Sequence, residues 1–227
     1  MNKNFLLLFC FITSFAFSQE YHYDYFIAEH SVRFKPDNQQ WTSESFYDSV
    51  NQKMLFIRTQ NDKIIASIYD KENNRSHIFK VNKLKDKITF IYKHTNQYPQ
   101  QQHKKDYNKE NIIKVEKLDS LKYNVTVFKN SKLKKKKISA IVTLEKSEFN
   151  YINFNADYNR TDEINKKIRS FLNPKFNYII SNQQKKYHSS DYTFEESIQK
   201  IQKTDLTIIV PEKLVLKEYN YWSDFED

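Results

Sequence analysis

The feature that most constrains the fold of this chain is an alternation of apolar and polar residues between Phe46 and Lys146. Runs of this kind recur about every ten residues, which is typical of antiparallel strands with one buried and one solvated face. The pattern predicts an up-and-down meander of about eight strands. The predicted inner face consists of Leu55, Ile57, Ile64, Ala66, Ile68, His77, Phe79, Val81, Ile88, Phe90, Tyr92, Ile113, Val115, Tyr123, Val125, Val127, Ile138, Ala140, Val142 and Leu144.

The turn positions between these runs also predict how neighbouring strands pair. Turns at residues 60–63 and 71–74 keep every inner-face residue opposite another one. A slip of one residue would move a whole apolar set into water, so the registers should be well specified. The predicted pairs are Leu55–Ile68, Ile57–Ala66, Asp70–Arg75, Ile68–His77, Ala66–Phe79, Val81–Ile88, Phe79–Phe90, His77–Tyr92 and Arg75–His94.

The segments around the meander have weaker patterns. An aromatic stretch before it predicts one strand from Tyr25 to Phe34 that ends near Pro36, as an edge strand, a strap across the sheet or a surface arm. The Gln-rich segment from Asn96 to Asn108 predicts a mobile loop.

The C-terminal third of the chain predicts helices. The first has Thr161 as its N-cap and ends at Asn173-Pro174, with an apolar stripe at Ile164, Ile168, Phe171 and Leu172. A second helix is expected from Thr193, which forms a capping box with Glu196, and its stripe is Phe194, Ile198 and Ile201. A short strand, Leu206 to Val210, and an acidic aromatic tail ending at Asp227 follow.

Together these elements predict a mainly β (α+β) fold. The one-sided meander is expected to curl into a partial or complete barrel, with the two amphipathic helices capping or filling its concave face. A flat sheet with helices packed across it is the alternative. In outline the predicted architecture resembles the half-barrel carriers that handle lipids or lipoproteins in bacterial envelopes.

The first residues predict export. Met1 to Ser18 contain one lysine, an apolar run of about thirteen residues and a small residue at the end, which is typical of a secretory signal peptide and short for a membrane span. Cys10 lies inside this segment, so a lipoprotein is not expected and the mature chain has no cysteine. We expect a single β-rich domain over residues 19–227, located in the periplasm or secreted.

Composition excludes several classes of function. The chain has no glycine, and the glycine-dependent Rossmann, P-loop and GxSxG signatures are therefore missing. HExxH and Asp-rich calcium motifs are missing as well. No metal or other cofactor is predicted, and a non-catalytic role is favoured over an enzyme. The formal net charge of +9 favours anionic partners in general.

The predicted registers bring one group of polar residues together. Asp70, Arg75 and His94 should lie side by side at one end of the inner face, with His77 and Tyr92 one layer further in. Such a cluster could bind a carboxylate or phosphate headgroup through the Arg75 fork, with the histidines adding a pH-sensitive charge. The alternative is an ordinary cross-strand ion pair and a core histidine.

A lysine-rich segment lies between the last two strands of the meander. Its sequence KLKKKK predicts the tip of a long hairpin, either a merely solvated tip or a contact to an anionic envelope surface. Nucleic acid is a less suitable partner because the aromatic residues mostly lie on the apolar face. The proposed contact residues are Lys132, Lys134, Lys135, Lys136 and Lys137.

Two functions therefore stay open. The first is a carrier or binding module for an apolar or anionic lipid-like ligand enclosed by the curved sheet. The second is an envelope or extracellular interaction protein with a packed core that acts through its basic surface.

Overall fold

A computed structural model of the chain describes residues 18–60, 62–84, 87–99 and 108–220. The predicted signal peptide, apart from Ser18, and the last seven residues of the acidic tail lie outside these ranges, as do residues 100–107 of the predicted loop. The described residues form twelve strands and one α-helix: β1 (Gln19–Lys35), β2 (Gln39–Tyr47), β3 (Met54–Gln60), β4 (Lys63–Asp70), β5 (Arg75–Leu84), β6 (Lys87–Gln97), β7 (Ile112–Asp119), β8 (Lys122–Phe128), β9 (Lys136–Ser147), α1 (Thr161–Arg169), β10 (Asn177–Tyr187), β11 (Tyr192–Val210) and β12 (Leu216–Glu218).

All twelve strands belong to one sheet, which confirms the mainly β class. The strand order is β12-β6-β5-β4-β3-β2-β1-β11-β10-β9-β8-β7. The predicted continuous meander is wrong at one point, because β6 and β7 are consecutive in the chain but lie in opposite halves of the sheet. Two meanders are instead joined in the middle by β1 and β11. Over the described ranges the sheet is open, with β12 and β7 at its edges, so the barrel prediction is not supported.

The predicted strand from Tyr25 to Phe34 is part of the longer β1, which lies in the middle of the sheet and is therefore not an edge strand, a strap or a surface arm. β1 pairs with β2 on one side and with β11 on the other. Its residues Tyr21, Tyr23, Tyr25 and Ile27 are buried at alternate positions, as expected for a strand with one face in the core. The aromatic residues of β1 therefore supply core residues to two buried clusters, one shared with β2 to β5 and one around Phe149 and Tyr151.

The predicted registers are correct for two hairpins and wrong for the third. Leu55 pairs with Ile68 and Asp70 pairs with Arg75, as expected. The pairing of β5 with β6 is longer than expected, because it continues to Leu84 and Lys87. Its register also shifts between Ile78 and Phe79. The observed pairs there are Val81–Phe90, Phe79–Tyr92, Ile78–His94, His77–Thr95 and Arg75–Gln97.

The predicted second helix is wrong, because this segment is the nineteen-residue strand β11. The register between β1 and β11 shifts by one residue here. Ile201 pairs with Ile27, but Ile198, three positions earlier in β11, pairs with Glu29, only two positions later in β1. The extra residue places Ile198 and Ile201 against the same buried cluster at a spacing of three, which imitates a helical stripe. The predicted short strand at 206–210 is the end of this long one.

The first predicted helix is confirmed, although it is shorter than expected. Ile164 and Ile168 are buried, whereas Phe171 lies after the helix and is 45% exposed. The N-cap residue is Arg160, without a side-chain capping bond, so Thr161 is the first helical residue rather than the cap. The helix packs on the inner face of β7 to β10. The buried cluster there contains Ile113, Tyr123, Val125, Val127, Ile138, Ala140, Val142, Leu144, Ile152, Phe154, Tyr158, Ile164, Ile168, Tyr178 and Ile180.

The ends of the two central strands, β1 and β11, cover the other half of the sheet. Residues 19–23 of β1 and 206–210 of β11 pair only with each other among the described strands, since β2 pairs with β1 from Tyr25 onward and β10 pairs with β11 only up to Ser197. This two-stranded segment, called the ribbon below, packs against β2 to β5. The shared buried cluster contains Tyr21, Tyr23, Phe46, Leu55, Ile57, Ala66, Ile68, Phe79, Val81, Ile208 and Val210.

Candidate functional site

The candidate site begins at the tight turn between β4 and β5. Arg75 Nε donates to Asp70 Oδ2 at 2.9 Å, and Asn73 Nδ2 donates to the same carboxylate oxygen at 2.8 Å. Burial alone would raise the pKa of Asp70, but the hydrogen bonds from Asn73 and the ion pair with Arg75 outweigh it and lower the pKa. Asp70 is therefore an anion that closes this turn.

His77 lies one layer further in and is fully buried. Its Nδ1 lies 2.9 Å from Thr95 Oγ1, and the Tyr92 hydroxyl lies 2.7 Å from the same oxygen. Burial, with a smaller contribution from the positive charge of Arg75, lowers the pKa of His77 to about 4. His77 is thus neutral near neutral pH and acts as a hydrogen-bonding group, not as the pH-sensitive cation expected from the sequence.

The ribbon covers this polar group from above. Arg75 Nη2 donates to Gln19 Oε1 at 3.3 Å, and the rings of Tyr21 and His77 lie 6.1 Å apart between centroids. Tyr21 is 3% exposed and Tyr23 is fully buried. Burial raises the pKa of both tyrosines well above the ordinary value, so both hydroxyls keep their protons.

Three buried polar atoms at this place have no hydrogen-bond partner among the described residues. They are Tyr21 Oη, Tyr23 Oη and His77 Nε2. Leaving such an atom unpaired costs about 1 to 3 kcal/mol. Buried polar atoms without partners are uncommon in folded proteins, and each one calls for an explanation. Tyr21 and His77 both lie near Arg75, and Tyr23 belongs to the same buried cluster as Tyr21, which makes this the strongest candidate for a binding site.

The structure brings together four of the five predicted site residues. Asp70, Arg75, His77 and Tyr92 share one end of the buried face. His94 does not join them, because it pairs with Ile78 and therefore lies on the opposite face of the sheet from His77. The cause is the longer β5–β6 pairing and its register shift. The sequence offered no signal for the ribbon tyrosines, because their contact depends on β1 lying beside β11.

The lysine-rich segment is at the hairpin tip, as predicted. Residues 129–135 connect β8 to β9, and Lys136 and Lys137 begin β9. Lys132, Lys134, Lys135 and Lys136 are exposed. Lys137 is different, because its Nζ donates to Asn108 Oδ1 and lies 5.3 Å from the centre of the Tyr158 ring.

A second buried polar cluster lies near the centre of the sheet and was not predicted. Lys185 Nζ lies 2.7 Å from Glu196 Oε2, which also accepts from Gln183 Nε2 at 2.9 Å. Tyr151 donates to Glu29 Oε1 at 3.1 Å. Burial lowers the pKa of Lys185 and raises that of Glu29. The charged groups are paired or hydrogen-bonded within the cluster, although Gln183 Oε1 has no partner among the described residues, so the cluster is first of all structural.

Two kinds of feature are missing from the described ranges. They contain no group of three or more His, Cys, Asp or Glu side chains that could hold a metal ion. None of their helices is long and apolar enough to cross a membrane.

Comparison with known proteins adds little. No protein-family model matches the chain, and no curated protein matches it. Among solved structures, it is similar to the crystal structure of a LolA superfamily protein from Nitrosomonas europaea, with 8% sequence identity and a TM-score of 0.23 over 81% of this chain and 87% of that chain. A score this low supports no inference about function.

Proposed function

We propose that this protein is a non-catalytic binding module for a lipid-like amphiphile, whose polar end lies among Tyr21, Tyr23 and His77. The observation that carries the proposal is the set of three unpaired buried polar atoms, two of them on residues near Arg75 and the third on Tyr23 in the same cluster as Tyr21. A ligand head would give these atoms the partners that they lack in the described structure. The apolar cluster beneath the ribbon would accept the hydrocarbon part.

The chemistry of the site favours hydrogen bonding over charge. Arg75 is already paired with Asp70, and His77 is neutral, so these three side chains together carry no net charge near neutral pH. The two tyrosine hydroxyls are protonated and can donate. The site should therefore accept a carboxyl, ester or hydroxyl head, and its affinity should change little between about pH 5.5 and about pH 8. This differs from the pH-dependent headgroup site expected from the sequence.

The ribbon provides the route of entry. Two-stranded segments are marginally stable by themselves. The ribbon is held by its apolar contacts and by the hydrogen bond between Gln19 and Arg75. Separation of the ribbon from β5 would expose the apolar cluster and the unpaired atoms together. Ligand binding would then replace ribbon contacts with ligand contacts.

The test uses tyrosine-to-phenylalanine variants, which remove a hydroxyl and little volume. Tyr21→Phe and Tyr23→Phe should each raise the free energy of unfolding by about 1 kcal/mol, because an unpaired buried hydroxyl is removed. Each should also weaken binding of a fatty acid or a monoacylglycerol about fivefold, because the hydroxyl no longer donates to the ligand head. Calorimetric titration and urea denaturation measure the two effects.

The matched control is Tyr47→Phe, since the Tyr47 hydroxyl is satisfied by Asn150 O at 3.0 Å in a different buried cluster. Tyr47→Phe should lower stability by about 1 kcal/mol and leave ligand affinity unchanged. Absence of binding to the wild-type protein for every amphiphile would reject the proposed function. Unchanged affinity of both ribbon variants would reject the site.

A further inference from the structure

The hairpin tip between β8 and β9 has a defined conformation. Lys129 N donates to Lys135 O at 2.9 Å, Leu133 N donates to Asn130 O at 3.2 Å, and Lys132 N donates to Asn130 Oδ1 at 3.1 Å. Three separate hydrogen bonds therefore hold the turn. Its side chains are presented from a fixed backbone.

The charges at this tip are not neutralised. Lys132, Lys134, Lys135 and Lys136 form no ion pair among the described residues, whereas other exposed lysines nearby do. Lys35 and Lys186, for example, both pair with Asp191 at 3.4 and 2.8 Å. Four exposed positive charges thus stand close together in the chain without a carboxylate partner. An anionic surface would be their natural complement.

An apolar residue stands among these lysines in an unfavourable backbone conformation. Leu133 has φ of 53° and is 36% exposed. A left-handed conformation is costly for a residue with a Cβ atom, and Asn or Asp tolerates it best. Three of the other four described residues with positive φ are indeed Asp62, Asn74 and Asp191. Asparagine would therefore stabilise the turn better than Leu133 does. The leucine instead gives the tip an exposed apolar side chain.

We propose that this tip docks onto an anionic lipid bilayer, with the four lysines among the headgroups and Leu133 in the boundary region below them. Clustered lysines bind an anionic lipid surface electrostatically. A soluble polyanion would also attract the lysines, but it offers nothing to Leu133. The exposed leucine is the reason to choose the lipid surface. This inference does not depend on the pocket beneath the ribbon.

The test measures binding of the chain from Gln19 onward, which contains all the described strands, to vesicles of phosphatidylcholine alone and of phosphatidylcholine mixed with phosphatidylglycerol. Binding should require the anionic lipid and should weaken as salt is added. Each lysine-to-glutamine substitution at the tip should weaken binding about fivefold. The variant with all four tip lysines substituted should bind the vesicles several hundredfold more weakly, which is about the product of the four single effects.

The matched control removes the same formal charge from the other half of the sheet. Substitution of four exposed lysines by glutamine there should leave most of the binding intact, because those residues are not at the tip. Equal losses for the tip variant and the control would overturn the proposal in favour of general charge attraction. The control residues are Lys71, Lys80, Lys87 and Lys213.

Leu133→Asn separates a lipid partner from a soluble polyanion. Asparagine suits the positive φ, so the variant should be at least as stable as the wild-type protein in urea. Its affinity for anionic vesicles should fall about tenfold through loss of apolar contact, and its affinity for heparin should not change. Unchanged vesicle affinity, or heparin binding that exceeds vesicle binding at equal salt, would overturn the lipid-docking proposal.

Discussion

Lys185 and Lys186 offer a direct test of how burial changes the energy of an ion pair. The two residues are neighbours in β10 and their ion pairs have nearly equal lengths, 2.7 Å to Glu196 and 2.8 Å to Asp191. The side chains of the first pair are 3% and 13% exposed, and those of the second are 46% and 59% exposed. The perturbation is substitution of each lysine by methionine, which keeps most of the side-chain volume.

The expected losses differ severalfold. Lys185→Met leaves the buried carboxylate of Glu196 without its cation and near Glu29, and breaking a buried pair in this way costs about 3 to 5 kcal/mol. Lys186→Met removes an exposed pair, for which about 1 kcal/mol is an upper value. Replacement of both Lys185 and Glu196 by apolar residues should recover most of the loss, because no unpaired charge is then buried.

The loss in Lys185→Met should also depend on pH. Burial already raises the pKa of Glu29 in the folded protein, and removal of the neighbouring cation should raise it further. An acid whose pKa is raised by folding destabilises the folded state as pH rises through that range. The deficit of Lys185→Met should therefore be largest at about pH 8 and smaller at about pH 5.

Urea denaturation followed by circular dichroism at both pH values measures these quantities. Each midpoint and slope gives a free energy of unfolding for the wild-type protein, the two single variants and the double variant. Similar losses for Lys185→Met and Lys186→Met would contradict the argument from burial. A deficit in Lys185→Met that is the same at both pH values would show that lost packing, not an uncompensated carboxylate, causes it.

Two further predictions concern a buried core residue and the stability of the protein at acidic pH. Val142→Asp should unfold the protein, since Val142 is fully buried and an unpaired buried carboxylate costs several kcal/mol. Thr143→Asp, at the next position, should be nearly neutral. Equal denaturation midpoints for the two variants would contradict the predicted alternation of buried and exposed residues. The stability of the wild-type protein should rise between about pH 4 and about pH 6.5, because folding lowers the pKa of His77 and the unfolded chain binds the extra proton. His77→Asn should remove about 3 kcal/mol of that rise, and identical pH profiles for both proteins would contradict it.

Much of the local structure could be predicted from the pattern of residues alone. Alternation identifies the buried side of residues such as Leu55 and Val142, and short turns specify the pairing of Asp70 with Arg75. These features depend on contacts between residues close in the chain. The position of His94 could not be predicted, because one irregularity between Ile78 and Phe79 moves it to the other face. A bulge of one residue leaves no clear trace in composition or periodicity.

The candidate site likewise has a part that the sequence could predict and a part that it could not. The nearby strands β4 to β6 supply Asp70, Arg75, His77 and Tyr92, and their grouping follows from local pairing. The ribbon and the Lys185 cluster depend on β1 lying against β11, a pairing of Gln19 with Val210 across nearly the whole described chain. Local periodicity carries no information about which distant strands meet, and at β11 register shifts even imitate a helix. Only the tertiary structure therefore decides what covers β2 to β5 and which buried polar atoms there lack a partner, because both depend on the distant pairing of β1 with β11.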